Sequence, residues 1–253
     1  PGLVPGISVD DQRNRFGLDK AVFFITAALI LSFIAWGISS PPSVSNVSST
    51  MFAWAIKNVG WLLNVVMVSA VVLMLYLAFS RFGRIKLGTD DEEPEFSRFA
   101  WIAMMFGAGL GVGIFFFGPS EPLTYYMDPP PHTTDPETPE ALHRGLAQAH
   151  FHWGLAIWGL YAMVGGALAY SSYRRGRVSL FSSAFRSLFG ERQTTGLAGR
   201  LVDMMAIIAT LFGTAATLGL SALQISEGIQ IVSGASRITN TVLIMIIAVL
   251  TLC

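Results

Sequence analysis

The 253-residue chain is 53% hydrophobic and 13% charged, with a formal net charge of zero and a mean hydropathy of +0.57. This apolar share exceeds that of an ordinary soluble domain and indicates a membrane protein, and without a basic excess the composition does not suggest nucleic-acid binding. A single cysteine, Cys253, excludes an internal disulfide framework.

Six apolar runs, taken in chain order, predict membrane helices near residues 20–40, 52–80, 99–127, 141–172, 199–232 and 239–253. About 20 residues cross the hydrocarbon core of a bilayer, so the first five runs are long enough and the longer ones need a tilt or a break. The first run is too long and too weakly flanked to be a cleaved signal peptide. The sixth has no polar flank, and we expect this chain to be part of a longer one.

The connections between the runs differ in composition. Residues 39–50 are rich in Ser and Pro and predict a short external loop, residues 90–95 form an acidic patch in a cytoplasmic loop, and residues 128–140 hold three consecutive prolines of an external turn. Basic residues concentrate in the N-terminal segment and in the second and fourth connections. The alternate regions carry only Lys57, Arg144 and Arg237, so the positive-inside rule places the N-terminus in the cytoplasm.

The third run contains glycine at every second position from Gly107 to Gly113, followed by Gly118, Pro119 and Pro122. Each glycine costs about 1 kcal/mol of helix propensity relative to alanine. Glycines four residues apart also allow two helices to approach closely, which is the alternative interpretation. Because an opened backbone in a membrane survives only where it lines an enclosed cavity, we predict a broken helix that borders a solute site.

Aromatic residues mark the fourth run. On a regular helix Trp153, Trp158 and Tyr161 fall within about 140° of the surface, and their ring faces can hold a cation. An interfacial aromatic belt or ordinary packing is the alternative. His150 and His152 point about 200° apart, which disfavours a shared metal and favours structural or water-contacting histidines.

Three threonines, Thr210, Thr214 and Thr217, share one stripe of the fifth run. Their hydroxyls can bond to carbonyls of their own helix or bridge to a neighbour, or they can ligate Na⁺, a hard cation that prefers oxygen. Glu121 is a functional candidate as an acid at membrane depth, although it can also bond backbone amides or face water. Asp203 lies at a cytoplasmic helix start, where interaction with the helix dipole suffices to explain it.

Three ordered motifs resemble one known family. They are the stretch from Met104 to Gly113 followed by Glu121-Pro122-Leu123, the stretch from His152-Trp153 to Arg174, and the stretch from Ala206 to Gly219. Over about residues 50–232 the chain resembles the betaine/choline/carnitine transporter family, most closely its Na⁺-coupled glycine betaine carriers of bacteria.

The resemblance implies a fold and a domain plan. The fold class is an all-α polytopic membrane protein with the inverted-repeat architecture of the leucine transporter. Residues 1–19 then form a cytoplasmic N-terminal segment, residues 20–96 hold two leading transmembrane helices, and residues 97–253 form an incomplete first repeat.

The resemblance also implies the ligands of two kinds of site. A substrate site would use an aromatic box and the glycine stretch, with the residues Trp153, Trp158, Tyr161, Ala108, Gly109, Gly111, Gly113 and Thr217. Sodium sites would use two hydroxyls and two main-chain carbonyls, those of Thr210, Thr214, Gly107 and Leu110.

The function implied is Na⁺-coupled symport of a trimethylammonium compatible solute, such as glycine betaine, across the bacterial cytoplasmic (inner) membrane, in osmoprotection. A homotrimer is expected, with no enzymatic activity and no cofactor besides Na⁺ as the coupling ion. Some proton-coupled relatives place an aspartate in the glycine stretch, whereas this chain has Gly113 there and no acid. A choline, carnitine or ectoine carrier, coupled to H⁺ or working by exchange, is the alternative within the family. A channel or an intramembrane metal enzyme is the alternative outside it.

Overall fold

The computed structural model describes residues 18–88, 90–91, 93–109, 111–234 and 239–252, and this part of the chain is helical without a strand. Its α-helices are α1 Lys20–Ser39, α2 Pro41–Phe79, α3 Arg98–Gly109, α4 Val112–Met127, α5 Pro139–Phe151, α6 Ile157–Ala169, α7 Phe181–Ala184, α8 Arg186–Phe189, α9 Glu191–Thr194, α10 Leu197–Ser233 and α11 Asn240–Leu252. Two π-helical segments, His152–Ala156 and Tyr170–Arg174, flank α6. The all-α class predicted from the sequence is confirmed.

Four helical stretches are long and apolar enough to cross a membrane. They are Lys20–Ser39, Pro41–Phe79, Pro139–Arg174 and Leu197–Ser233, which correspond to four of the six predicted runs. The third run is divided into α3 and α4, of 12 and 16 residues, and the last run holds the 13 residues of α11. The domain plan stays a prediction, and residues 1–17 of its N-terminal segment lie outside the described residues.

The external loop predicted for residues 39–50 is wrong. Helix α2 begins at Pro41, directly after Ser40, and continues through this stretch. Proline is tolerated in the first turn of a helix, where its missing N–H has no intrahelical partner to lose. The proline-rich turn near residues 128–140 is confirmed up to Thr138, whose Oγ1 accepts a hydrogen bond from the Ala141 amide at 3.1 Å and caps α5.

Large apolar side chains point outward over most of the described chain, and buried positions hold small residues. The buried hydrophobic residues are Ala70, Ala141, Ala149 and Ala222. Small residues are typical of helix contacts in membranes, because lipid tails are as apolar as a leucine and close backbone approach supplies the attraction. This distribution fits helices whose outer surfaces meet lipid.

The chain divides into two compact units, one formed by residues 1–92 and 153–208 and the other by residues 93–152 and 209–253. In the first, α2 packs against α1 and α6. The approach of α2 and α6 is close at Gly159, because a Cβ there would lie 2.8 Å from Val71 Cγ2 and 3.1 Å from Val71 Cα. In the second unit, α4 packs against α5.

Arginines of the first unit tie distant parts of its sequence together. The Arg174 guanidinium donates to the Gly88 carbonyl at 2.9 Å and to Asp90 Oδ1 at 2.7 Å, and the bond from Arg174 lowers the pKa of Asp90. Arg200 Nε donates to Asp19 Oδ2 at 2.7 Å. These ion pairs are solvent-accessible, so each contributes little to the stability of the fold.

Asp203 has a more specific role than the predicted interaction with its own helix. Its Oδ1 accepts from the Ser182 amide at 2.9 Å, and its Oδ2 accepts from the Ser182 hydroxyl at 2.7 Å. Ser182 lies in α7 and is buried. The carboxylate therefore anchors the short helix α7 to α10.

The close contact of α4 and α5 gives a test of the second unit. A Cβ at Gly145 would lie 2.9 Å from the Pro122 carbonyl oxygen and 3.3 Å from Tyr125 Cβ. Because one of these atoms belongs to the backbone, Gly145→Ala is expected to force the helices apart and destabilise the protein by about 1–3 kcal/mol. The measurement is thermal unfolding of the purified protein in detergent.

Gly118→Ala on α4 is the matched control, since no atom lies within 4 Å of a Cβ built there. Alanine is the better helix former by about 1 kcal/mol, so the control should unfold at the same temperature as the parent or slightly higher. Equal unfolding temperatures for the two variants would contradict the proposed close contact.

Candidate functional site

The glycine-rich run is broken, as predicted. Helix α3 ends at Gly109 and α4 begins at Val112, with Gly111 in an extended conformation at φ −76° and ψ 168°. Leu110, whose carbonyl was predicted to bind sodium, lies outside the described residues. The break falls where glycine alternates with larger apolar residues, because that pattern weakens the helix locally.

The break leaves main-chain groups on both sides. The last four carbonyls of a helix have no intrahelical partner, and Gly107, Ala108 and Gly109 are within the last four residues of α3. No described side chain caps the start of α4, where Gly111 is the N-cap and Gly113 lies in the first turn. Carbonyl oxygens at a helix end suit a cation, and amides at a helix start suit a carboxylate.

The helix that carries the aromatic residues is also irregular, which differs from the regular helix assumed for their spacing. Trp153 lies in the π-helical segment His152–Ala156, in which Gly154 has non-helical angles of φ −89° and ψ −149°. The Trp158 indole N–H donates to the Trp153 carbonyl at 2.9 Å. A π-helical turn does not follow the usual i→i+4 pairing of main-chain groups. The Trp153 carbonyl is therefore able to accept the bond from the Trp158 indole, and this bond positions Trp158.

Trp158 and Tyr161 form a ring pair. Their centroids are 5.7 Å apart with an interplanar angle of 39°, and the two residues are 42% and 66% exposed. Electron-rich faces that are open in this way can attract a cation without a carboxylate. Both residues and Trp153 belong to the first unit, whereas the glycine break belongs to the second. Their joint use as a substrate site stays a prediction.

The three threonines lie on the exposed surface of α10. Thr217 Oγ1 donates to the Gly213 carbonyl at 2.7 Å, which is the bond to its own helix that was the alternative to ligand binding. A hydroxyl that donates its hydrogen keeps oxygen lone pairs, so this bond leaves Thr217 able to contact a ligand. The sodium role of Thr210 and Thr214 stays a prediction.

Four polar residues form a cluster between α4 and the end of α5, which the sequence did not predict. Glu121 Oε1 lies 3.5 Å from His152 Nδ1, and the Tyr125 hydroxyl lies 3.4 Å from the same nitrogen. Gln148 Nε2 lies 3.0 Å from His152 Nε2. Glu121 and His152 were each singled out in the sequence, but their contact depends on the docking of two helices across a proline-rich turn.

The chain is similar in sequence to known membrane transporters. A sequence model of the BCCT, betaine/carnitine/choline family transporters, matches residues 21–253. The chain is 76% identical, over all of its length, to a betaine/ectoine transporter of Corynebacterium glutamicum. It is 40% identical over 93% of its length to a probable glycine betaine transporter of Desulfitobacterium hafniense and 38% identical over 91% to a glycine betaine transporter of Bacillus subtilis.

These relatives are longer than the chain. It covers 40%, 48% and 45% of their respective lengths. The helices described above therefore correspond to under half of each of those proteins.

Gly111 offers a direct test of the break. Its Cβ position has no atom within 4 Å, so Gly111→Ala introduces no clash and changes only the backbone preference. Alanine favours helix over glycine by about 1 kcal/mol, so α3 and α4 should join more often. We expect amide hydrogen exchange, measured by mass spectrometry on peptides covering residues 107–115, to slow in this variant.

Gly118→Ala, inside α4, is the control and should leave exchange in those peptides unchanged. Exchange that stays the same or becomes faster in Gly111→Ala would show that glycine at this position does not hold the helix open.

Proposed function

The chain belongs to the betaine/carnitine/choline transporter family, and we propose that it is part of a Na⁺-coupled symporter for a trimethylammonium solute such as glycine betaine. Membership of this family makes it part of a multi-pass membrane transporter and not of an enzyme. The observation that carries the proposal is the extended backbone at Gly111, because broken membrane helices place carbonyls and amides at transporter binding sites.

The head group of the solute would lie against aromatic rings. A trimethylammonium group has no N–H to donate, so ring faces suit it better than hydrogen-bond acceptors do, and a desolvated cation–π contact contributes about 2 kcal/mol or more. The exposed pair of Trp158 and Tyr161, with Trp153 beside the opened backbone, supports this assignment.

The carboxylate of the solute would lie at the start of α4. This end carries the positive pole of the helix and has no described side-chain cap. Ala108, Gly109, Gly111 and Gly113 would allow close approach to the main chain, and the hydroxyl of Thr217 would supply a further polar contact.

Sodium would bind where oxygen atoms are available. Thr210 and Thr214 would provide hydroxyls, and Gly107 and Leu110 would provide main-chain carbonyls near the break. Hard cations prefer such oxygen ligands. No acid interrupts residues 105–118, which supports sodium coupling over proton coupling.

Ectoine is the second candidate substrate. The relative that shares 76% identity is named a betaine/ectoine transporter, and ectoine, like glycine betaine, joins a delocalised or shielded cation to a carboxylate. Choline and carnitine remain alternatives. Choline has no carboxylate, so competition by glycine betaine, ectoine and choline for the same uptake would show whether the start of α4 contributes to selectivity.

We further propose the cellular setting. The transporter would lie in the bacterial cytoplasmic membrane with its N-terminus inside the cell, as the distribution of basic residues indicates. It would form a homotrimer and serve osmoprotection, as the family resemblance implies.

Uptake by the complete transporter tests the function. In proteoliposomes we expect an inward Na⁺ gradient to drive accumulation of radiolabelled glycine betaine, and Trp158→Leu to raise the apparent KM by about tenfold or more, as expected for a loss of over 1.4 kcal/mol. Trp61→Leu is the control, because Trp61 lies on α2 and is not among the residues proposed to bind the solute, so it should not affect KM. No uptake by the parent would reject the function, and an unchanged KM in Trp158→Leu would reject the aromatic contact.

The sodium assignment has its own test. Combined replacement of Thr210 and Thr214 by alanine removes two proposed oxygen ligands and should raise the Na⁺ concentration for half-maximal uptake by about tenfold or more, the equivalent of 1.4 kcal/mol. Ser221→Ala removes a hydroxyl from the same helix that donates to the Thr217 carbonyl at 2.8 Å, and should leave the sodium dependence unchanged. The assignment fails when the double variant behaves like this control.

A further inference from the structure

His152 lies where α5 gives way to the π-helical segment, and groups from two helices meet at its ring. Glu121 and Tyr125 approach Nδ1 from α4 at 3.5 and 3.4 Å, and Gln148 of α5 approaches Nε2 at 3.0 Å. The Tyr125 and His152 rings are also in edge contact, with centroids 5.8 Å apart. Each ring nitrogen therefore has a polar neighbour.

The contact with Gln148 favours one tautomer of the ring. The Gln148 amide nitrogen carries only donors, so His152 Nε2 accepts from it. In the neutral imidazole the other nitrogen then carries the hydrogen, and this Nδ1 lies 3.5 Å from Glu121 Oε1 and 3.4 Å from the Tyr125 hydroxyl. The carboxylate and the amide thus face different nitrogens of the ring.

The Glu121 carboxylate is largely shielded from solvent, so its contact with His152 matters. Its side chain is 22% exposed, and its Oε2 is buried with no hydrogen-bond partner among the described residues. A carboxylate that loses water and gains no partner is costly. The imidazole Nδ1, 3.5 Å from Oε1, is a polar contact of this carboxylate and links α4 to the end of α5.

We propose that Glu121 and His152 are positioning residues that hold the start of the π-helical segment and, through the chain, the direction of Trp153. The proposal rests on the proposed betaine transport. In this proposal neither residue contacts the solute. Glu121 lies on the helix that begins at the glycine break, and His152 directly precedes Trp153.

The test is uptake of radiolabelled glycine betaine by the complete transporter in proteoliposomes at saturating Na⁺. His152→Ala and Glu121→Ala should each raise the apparent KM by about tenfold, with kcat within about twofold, and the double variant should be no worse than either single variant, because coupled residues are not additive. His152→Asn should recover most of the affinity, since its amide can place an N–H near the position of Nδ1. Glu121→Gln keeps the volume of Glu121 and a side-chain oxygen that can accept from Nδ1–H, so it should keep KM within about twofold of the parent.

His150→Ala is the matched control. His150 lies two residues earlier, on α5, and its Nδ1 bonds to the Leu146 carbonyl of its own helix at 2.7 Å, so KM should not change. Additive effects, a loss of kcat alone, or no recovery in His152→Asn would overturn the proposal.

Failure of the positioning role can be distinguished from failure of the proposed function. If the alanine variants fail to insert, Glu121→Leu, which keeps much of the side-chain volume and removes both oxygens, decides, and a parental KM in Glu121→Leu overturns the proposal. If the parent itself takes up no betaine, the proposed function fails. Normal uptake by the parent with parental KM in all variants rejects only the positioning role.

Discussion

The interruption of main-chain hydrogen bonding between Gly109 and Val112 is the constraint on which the rest of this chain depends. A bilayer supplies no water to satisfy opened amides and carbonyls, so such a break needs partners from protein, trapped solvent or a ligand. Helix α4 adds to the demand, because Pro119 and Pro122 lie inside it and each removes one more donor. A membrane protein can retain this arrangement only around an enclosed polar space.

Small residues provide the rigidity that an interrupted backbone lacks. At Gly145 the contact with Pro122 leaves no room for a methyl group, and at Gly159 the same is true of the contact with Val71. Helix pairs packed this closely behave as single bodies, because a shift of either backbone would separate atoms already at contact distance. Each unit thus keeps one tight pair, α4 with α5 or α2 with α6, while the larger apolar side chains face outward.

Features that depend on the helix propensity of nearby residues could be predicted from the sequence. Features that depend on helix position or on packing between helices could not. Alternating glycines from Gly107 indicated the break because helix propensity is local. The prolines at positions 41 and 42 favour a loop prediction, whereas the structure places them in the first turn of α2, where proline is tolerated. The π-helical segment was not anticipated, because it depends on the angles of Gly154 and on the bond from the Trp158 indole. The residues proposed for the substrate and sodium sites follow from the family resemblance. The contact of Glu121 with His152 joins residues 31 positions apart in sequence and forms only when α4 packs against α5.

Helix α4 joins the glycine break to Glu121 within the second unit. From Val112 to Glu121 is nine residues, or about 14 Å of helix at 1.5 Å per residue. Over this length α4 packs closely against α5 at Gly145. The carboxylate then meets the imidazole that precedes Trp153. Within the second unit, the glycine break and the contact of Glu121 with His152 therefore belong to one helix pair, α4 with α5.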